Sequence, residues 1–479
     1  MARPNILIFM TDHQRGDTAR PEHPAVTPNL DALAREGVLF SETHCPSPHC
    51  CPSWATFWTG LYPSRHGVWN NVLNRQALSP GPKPGVRLWS EDLAEAGYAM
   101  HWLGKWHVSS VESPADRGWA EHQVSSGPGT VHGGAWDYYQ AVAAQGEPAE
   151  RGEGQILRPG YGTYTLYGRK DEGNPHDTGI TEQAERLLPE LAHNGAPWCL
   201  FVGCNGPHDP YFVPQRFLDL YDLDDVPVPP SYADEMKGKP VVYQRMREQG
   251  FGQLSEREVR EGIRHYWAYC SFLDDLFGRL LAGLDATGQA ANTVVLYCSD
   301  HADYCGEHGL FAKGVPCFRG AYHVPAVMRW PNGLADPGRR VDSLVSLADF
   351  GPTFLELAGV TADRHFTGSS LARFLRGETP SDWRDALFTQ CNGVELYYTQ
   401  RSVFTRDWRY TFNGFDRDEL YHLAEDPHEM HNLAGDPRHR EVVHEMCRRL
   451  WQFAHDEDDT ATNQYITVSL APFGPAEAF

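Results

Sequence analysis

The chain has no CxxC pair, no zinc-finger spacing and no internal repeat. It also shows no long hydrophobic run near its start. MARPNILIFM turns polar by Thr11-Asp12, too short for a signal-peptide core with its cleavage site and far too short to span a bilayer. The expectation is a chain that works in the cytoplasm, with no membrane as partner. Basic residues are scarce: 41 Lys and Arg against 63 Asp and Glu leave a net charge of −22. So acidic a chain is a poor ligand for nucleic acid or anionic lipid, although a local cationic pocket stays open to it. The 11 cysteines are odd in number and follow no framework, which reads as mostly free thiols in a reducing compartment.

What is present is ample apolar material. With 479 residues, 41% of them hydrophobic, and 14 Trp, 22 Phe and 21 Tyr, the chain can fill one large core and a smaller one. Asn5 to Met10, Tyr98 to Leu103, Trp198 to Gly203 and Thr293 to Cys298 are near-continuous apolar runs, as in strands of a parallel sheet buried on both faces. Val38 to Phe40 is a short strand. Between the strands lie helical patterns. Thr27-Pro28 predicts the cap of a helix stopped by Gly37, and Ser255 with Glu258 makes a capping box for a long helix to Leu284. Ala348 to Ala358 repeats the pattern. This alternation predicts an α/β fold with a large, doubly wound, mostly parallel sheet between helices.

After Gly377-Glu378-Thr379-Pro380 the pattern changes to short strands at Leu387 to Gln390, Gln400 to Thr405, Trp408 to Phe412 and Glu419 to Leu423. A helix from Glu441 to His455 follows, then an extended tail from Asp459. These predict a smaller C-terminal α+β domain with an antiparallel sheet over 379–479, beside a catalytic domain over 1–378. Within the latter, residues 114–177 are rich in Gly, Pro and charge with little periodicity, and read as a long insertion at a pocket rim. Arg319, His323 and the tail are further rim candidates.

One stretch, HCCPSWATFWTG, organises the rest. Pro52 suits a first helical turn, which places Cys50 at a helix N-terminus, where a thiol is expected to have a lowered pKa. Around it, each immediately after a strand-like run, stand Asp12, His13, Asp300 and His301, with Lys105, His107, His208 and Lys313. Singly, each has an ordinary explanation as a cap, a core histidine or a solvated lysine. Together, Asp oxygens with imidazole suit a divalent cation. A metal beside a nucleophile and several cations suits hydrolysis of a tetrahedral oxyanion ester.

Over nearly its whole length the chain resembles the type I, formylglycine-dependent sulfatases of the alkaline phosphatase superfamily. NILIFMTDHQR, TPNLDALAREGVLF, HCCPSWATFWTGLYPSRHG, GKWH, PHDPY, SDHADYCGEHGLFAKG and ELYHLAEDPHEMHNLAGDP carry the likeness in the family's order. The resemblance implies a sulfuric ester hydrolase of the arylsulfatase kind. Its substrate would be a small-molecule or carbohydrate sulfate ester, and its one divalent ion Ca2+, with Mn2+ or Mg2+ as alternatives. Cys50 would be oxidised to formylglycine, calling for a formylglycine-generating enzyme as partner. Its hydrate would attack sulfur, His208 or Lys313 would protonate the leaving alcohol, and His107 would help expel sulfate. Asp12, Asp300, His301 and the Cys50 position map onto the metal ligands. His13, where many relatives carry Asp, is a further ligand or a substrate contact.

One residue departs from the pattern. The signature reads Cys-x-Pro-Ser-Arg, and Trp54 stands in place of the Arg, which in the family supports the nucleophile and metal ligands. Two other functions therefore stay open: a phosphonate monoester or phosphodiester hydrolase of the same superfamily, and a non-catalytic binder of anionic esters. The resemblance puts uncharged residues at positions 105 and 107 in the former, so Lys105 and His107 favour the sulfatase.

Overall fold

A computed structural model describes residues 3–130, 136–146, 150–460, 463–465 and 467–479. Eight strands form the main sheet: β1 (Asn5–Asp12), β2 (Val38–Phe40), β3 (Ala99–Lys105), β4 (Ala120–Ser125), β5 (Trp198–Pro207), β6 (Thr293–Ser299), β7 (Ala326–Arg329) and β8 (Arg339–Val341). Their order is β8-β2-β7-β6-β1-β5-β3-β4. The ladders are parallel except where β7 meets β6 and β2.

The alternation of side chains along β1 explains the layering. Ile6, Ile8 and Met10 face a core shared with α2 (Cys50–Thr59), while Leu7 and Phe9 face one built by α1 (Pro28–Glu36), α3 (Pro175–His193) and α4 (Glu256–Ala286). The first core is aromatic: Trp58 lies 4.9 Å from both Trp89 and Trp102 between ring centroids. The expected doubly wound, mostly parallel sheet is what the structure has. So is the antiparallel sheet, β9 (Leu387–Cys391) to β12 (Glu419–His422) through β10 (Gln400–Phe404) and β11 (Trp408–Phe412). Val443, Met446, Leu450 and Trp451 of the helix Arg440–Asp456 cover it.

Several local expectations need correction. Thr27 does not cap α1 through its side chain. The buried Asp274 carboxylate of α4 accepts the N–H groups of Asn29 and Leu30 instead, at 3.0 and 2.8 Å, a cap supplied by a packing neighbour that no local pattern reveals. The third predicted helix begins at Phe350, after a 3-10 turn at Leu347–Asp349. Residues 114–177 are more regular than their composition suggests. They hold β4 at the sheet edge, a helix at Trp136–Gln145 and a hairpin of Gln155–Arg158 with Gly162–Thr165; 131–135 and 147–149 lie outside the described residues. The tail is not extended but carries helical turns at Thr467–Leu470 and Pro475–Ala478, with 461, 462 and 466 outside the described residues.

The insertion is fastened to α4. Glu258, the capping-box residue of that helix, also accepts from Arg151 at 2.6 and 2.7 Å and from the Gly154 N–H at 2.9 Å. Among the described residues no helix is long and apolar enough to cross a membrane.

Candidate active site

The carboxyl ends of the parallel strands converge, as ligand sites in open α/β sheets do. β1 ends in Asp12, and β6 runs into Asp300 and His301. β3 ends in Lys105 with His107 just beyond, and His208 follows β5. Cys50 is the first residue of α2. Gly104 sets the exit of β3: its φ is +97°, and a Cβ there would lie 2.0 Å from the Gly203 carbonyl oxygen. Only glycine lets β3 and β5 approach so closely just before Lys105.

Asp12, Cys50, Asp300 and His301 are buried, with one potential ligand atom each inside a 4.8 Å group. His301 Nε2 stands 3.2 Å from Cys50 Sγ and 3.3 Å from both Asp12 Oδ1 and Asp300 Oδ2. Lys105 Nζ donates to Asp12 Oδ2. Lys313 Nζ lies 3.2 Å from Cys50 Sγ and 2.9 Å from His208 Nε2. Burial pushes the Asp12 carboxyl up, but Lys105, with His208 and Lys313, holds it well below the usual range. Burial and the charge of Asp12 push Asp300 the other way, well above it. Two buried carboxyls set against each other, with an imidazole beside both, are a donor set that fits a divalent cation.

Cys50 corrects an expectation. Its place at a helix N-terminus does not lower its pKa: burial, then the charge of Asp12, push the thiol up to about 11 against the opposing pull of Lys105 and Lys313. Desolvation outweighs the helix dipole here. Cys51 points away into a small apolar cluster with Ala55, Val68, Val72 and Leu73.

Trp54 is fully buried, and its indole N–H donates to Asp300 Oδ2 at 2.9 Å. The remaining oxygen, Oδ1, accepts the N–H groups of His13 and His301 at 3.1 and 2.8 Å. The ring packs edge-on against Phe201, 5.5 Å between centroids, and occupies the space that a Cβ on Gly203 would crowd, 3.1 Å from Cη2.

The sulfatase family model matches residues 4–360, and the model for the C-terminal region of N-sulphoglucosamine sulphohydrolase matches 306–456. The chain belongs to the sulfatase family. It is thus a sulfatase-family hydrolase of the alkaline phosphatase superfamily. Among relatives, choline-sulfatase of Rhizobium meliloti (strain 1021) is 29% identical over 464 residues, covering 91% of this chain and 83% of that protein. The phosphonate monoester hydrolase of Agrobacterium radiobacter superposes with a TM-score of 0.77 at 24% identity, over 95% of this chain and 96% of the other. A protein solved in complex with its substrate D-glucosamine-2-N,6-O-disulfate gives 0.72 at 21%, over 96% and 99%. These two structural likenesses carry the fold.

In this sulfatase-family site, eight of the nine sequence-predicted residues gather around Cys50 or line the same cavity of about 530 Å³: Asp12, Cys50, Lys105, His107, His208 and Lys313 line it, with Asp300 and His301 beneath. His13 sits to one side. It falls in a second group with His208 and Asp209, its ring 4.6 Å from that of His301, its Nδ1 3.4 Å from Asp209 Oδ1 and its Nε2 3.5 Å from Asp303 Oδ2. Its backbone is left-handed, with φ at 80°, which turns the side chain out of line with Asp12. Arg319 and His323 are not at this cavity: Arg319 pairs with Glu42 at 2.8 Å, and His323 donates to the Ser41 carbonyl, also at 2.8 Å. The insertion does form rim, through Ser126, Lys170, Gly173, Asn174 and Pro175. Asn71, Asn74, Asn205 and Tyr269 also line the cavity, and sequence reasoning missed them. Two of those asparagines stand in NNVLNR, close after the signature, the one signal that pointed to them.

Proposed function

We propose that the protein hydrolyses sulfate monoesters to alcohol and inorganic sulfate, with Cys50 as the site of formylglycine. The observation that carries this reading is the placement of Lys313 Nζ within 3.2 Å of Cys50 Sγ and 2.9 Å of His208 Nε2, with Lys105 lining the same cavity. Two lysines thus line the cavity at the reacting position, where fixed positive charge stabilises an oxyanion ester as charge develops. A sulfate monoester presents three free oxygens. A phosphonate monoester or phosphodiester exchanges one of them for a carbon-bearing group, and the polar ends of Lys105, His107 and Lys313, which line the cavity with Cys50, suit a free oxygen better than that group.

A divalent cation, with Ca2+ first and Mn2+ or Mg2+ as alternatives, would be held by Asp12, Asp300, His301 and the Cys50 position and would polarise the ester oxygens. Formylglycine at Cys50, once hydrated, would supply a hydroxyl nucleophile at the N-terminus of α2. The chain's own groups do the rest. Lys105 and Lys313 hold the sulfate oxygens, and the Lys313–His208 pair delivers a proton to the departing alcohol. His107, which lines the same cavity, takes the proton that releases sulfate; a base working near neutral pH is best an imidazole. The donor from Trp54 to Asp300 supports a working metal site over a non-catalytic binder, because it replaces the missing Arg at its carboxylate.

Two measurements test the proposal. The mass of the tryptic peptide containing Cys50 separates thiol from aldehyde. A panel of aryl sulfate, phosphonate monoester and phosphodiester substrates with added metal should show the sulfate turned over fastest. A preference for the phosphonate would favour the second reading, which the Asp300-His301 pair also allows.

A further inference from the structure

The cavity is too large for sulfate alone. At about 530 Å³ it falls in the range that encloses most of a drug-sized ligand, so the alcohol half of the ester is bound too. Its walls show what that half looks like. Asn71, Asn74 and Asn205 present amides, Tyr269 and Phe212 present rings, and Lys170 presents an ammonium. A hydroxyl-rich ring suits the amides and the aromatic faces.

Lys170 differs from the other two lysines. Lys105 is engaged by Asp12, and Lys313 by Cys50 and His208. Lys170 takes part in no ion pair or side-chain hydrogen bond of the described residues. Its backbone is nonetheless held on both sides: its N–H donates to the Val213 carbonyl at 3.0 Å, and its own carbonyl accepts the Gly173 N–H at 2.9 Å. The same turn leads through Asn174 into α3, whose N-terminus contributes Pro175 to the cavity wall and adds the positive end of its dipole. The nearby acids offset little of this. Asp177 is spent on the N–H groups of Asn205 and Gly206 at 2.7 and 3.0 Å, while Asp171 and Glu172 are exposed and do not line the cavity. In a chain with net charge −22, an exposed ammonium at the active-site rim, on a held backbone and without a carboxylate partner among the described residues, is placed for an anion that arrives from outside.

We infer that Lys170 marks a subsite for a second anionic group, carboxylate or sulfate, on the alcohol half of the substrate. The inference rests on the sulfate-ester reading above. It selects sulfated sugar acids or multiply sulfated sugars and disfavours esters of cationic alcohols, which Lys170 would repel.

The test uses 4-nitrophenyl sulfate, the same ring bearing a carboxylate or a second sulfate, and the same ring bearing a trimethylammonium group. Wild type should favour the two anionic rings. Lys170→Ala should lower kcat/KM for them relative to the neutral ester by about two- to fivefold, as expected for an exposed charge pair. The change should sit in KM, and added salt should shrink the wild-type preference. Lys170→Glu should turn the preference toward the trimethylammonium ring. The two anionic arms separate a carboxylate site from a second sulfate site. Equal losses for all rings, or a wild-type preference for the cation, overturns the subsite. Failure to release sulfate from any of them overturns the sulfate-ester reading instead.

Discussion

Trp54 holds Asp300 by a single neutral hydrogen bond, indole Nε1 to Oδ2 at 2.9 Å, in the position where the sulfatase signature carries a cation. The bond fixes the orientation of a carboxylate in the candidate metal cluster without adding charge, and the socket around it is shaped for a flat ring. Partners of this kind typically support metal affinity or activity by 10- to 100-fold.

Trp54→Phe keeps the ring and removes the donor, so aryl sulfate turnover should fall by about 10- to 100-fold. Bound metal should fall with it. Trp54→Arg places a flexible cation against Phe201 and Gly203, and the rate per modified enzyme should drop as well. Metal analysis and rates normalised to the aldehyde content of the Cys50 peptide read both effects. A faster Arg variant would show that Trp54 only fills space.

The two adjacent cysteines should separate cleanly. Cys50→Ala should abolish turnover and leave the melting temperature near wild type. Cys51→Ala, which trims the apolar cluster with Val68, Val72 and Leu73, should keep turnover and cost about 1 kcal/mol of stability. Thermal unfolding and steady-state rates decide it, and the opposite pattern would place the nucleophile at Cys51.

Metal removal should destabilise wild type and not the ligand variants. A cation at a hundred times its Kd stabilises the fold by about 2.7 kcal/mol, so a chelator should lower the melting temperature of wild type. Asp300→Ala should be inactive and insensitive to the chelator. Its melting temperature should match in the presence and absence of chelator, below that of wild type, because the N–H groups of Trp54, His13 and His301 lose their acceptor along with the metal. A chelator response that persists in Asp300→Ala would move the metal elsewhere.

Asp209 is a positioning residue for His208. Its carbonyl lies 2.8 Å and its Oδ1 3.2 Å from His208 Nδ1, and Tyr164 Oη donates to its Oδ2 at 2.7 Å. Asp209→Asn should slow esters with poor leaving groups, which need the proton, more than 4-nitrophenyl sulfate, which does not. The slope of log kcat/KM against leaving-group pKa should steepen. A uniform loss across leaving groups would reduce Asp209 to a structural role.

Much of this was legible because the chemistry follows directly on strands. Asp12, Lys105 and Asp300 each stand at or next to the end of a buried apolar run, and the fold has to bring such ends together. The indole of Trp54 was readable only as a missing Arg, since its partner is 246 positions away. The thiol of Cys50 misled for a related reason: a helix N-terminus is visible in sequence, and the burial that overrides it is not. Lys170 sits in an aperiodic stretch that no periodicity could orient.

The clasp of Arg151 by Glu258 bears on which part of the site yields first. One carboxylate caps α4 and anchors the segment that supplies Lys170, so that segment is tied to a helix of the second core. Loosening that clasp should therefore move the rim around Lys170 before it moves Asp12, Cys50, Asp300 or His301, which are held by bonds among themselves and with Lys105, Lys313 and Trp54.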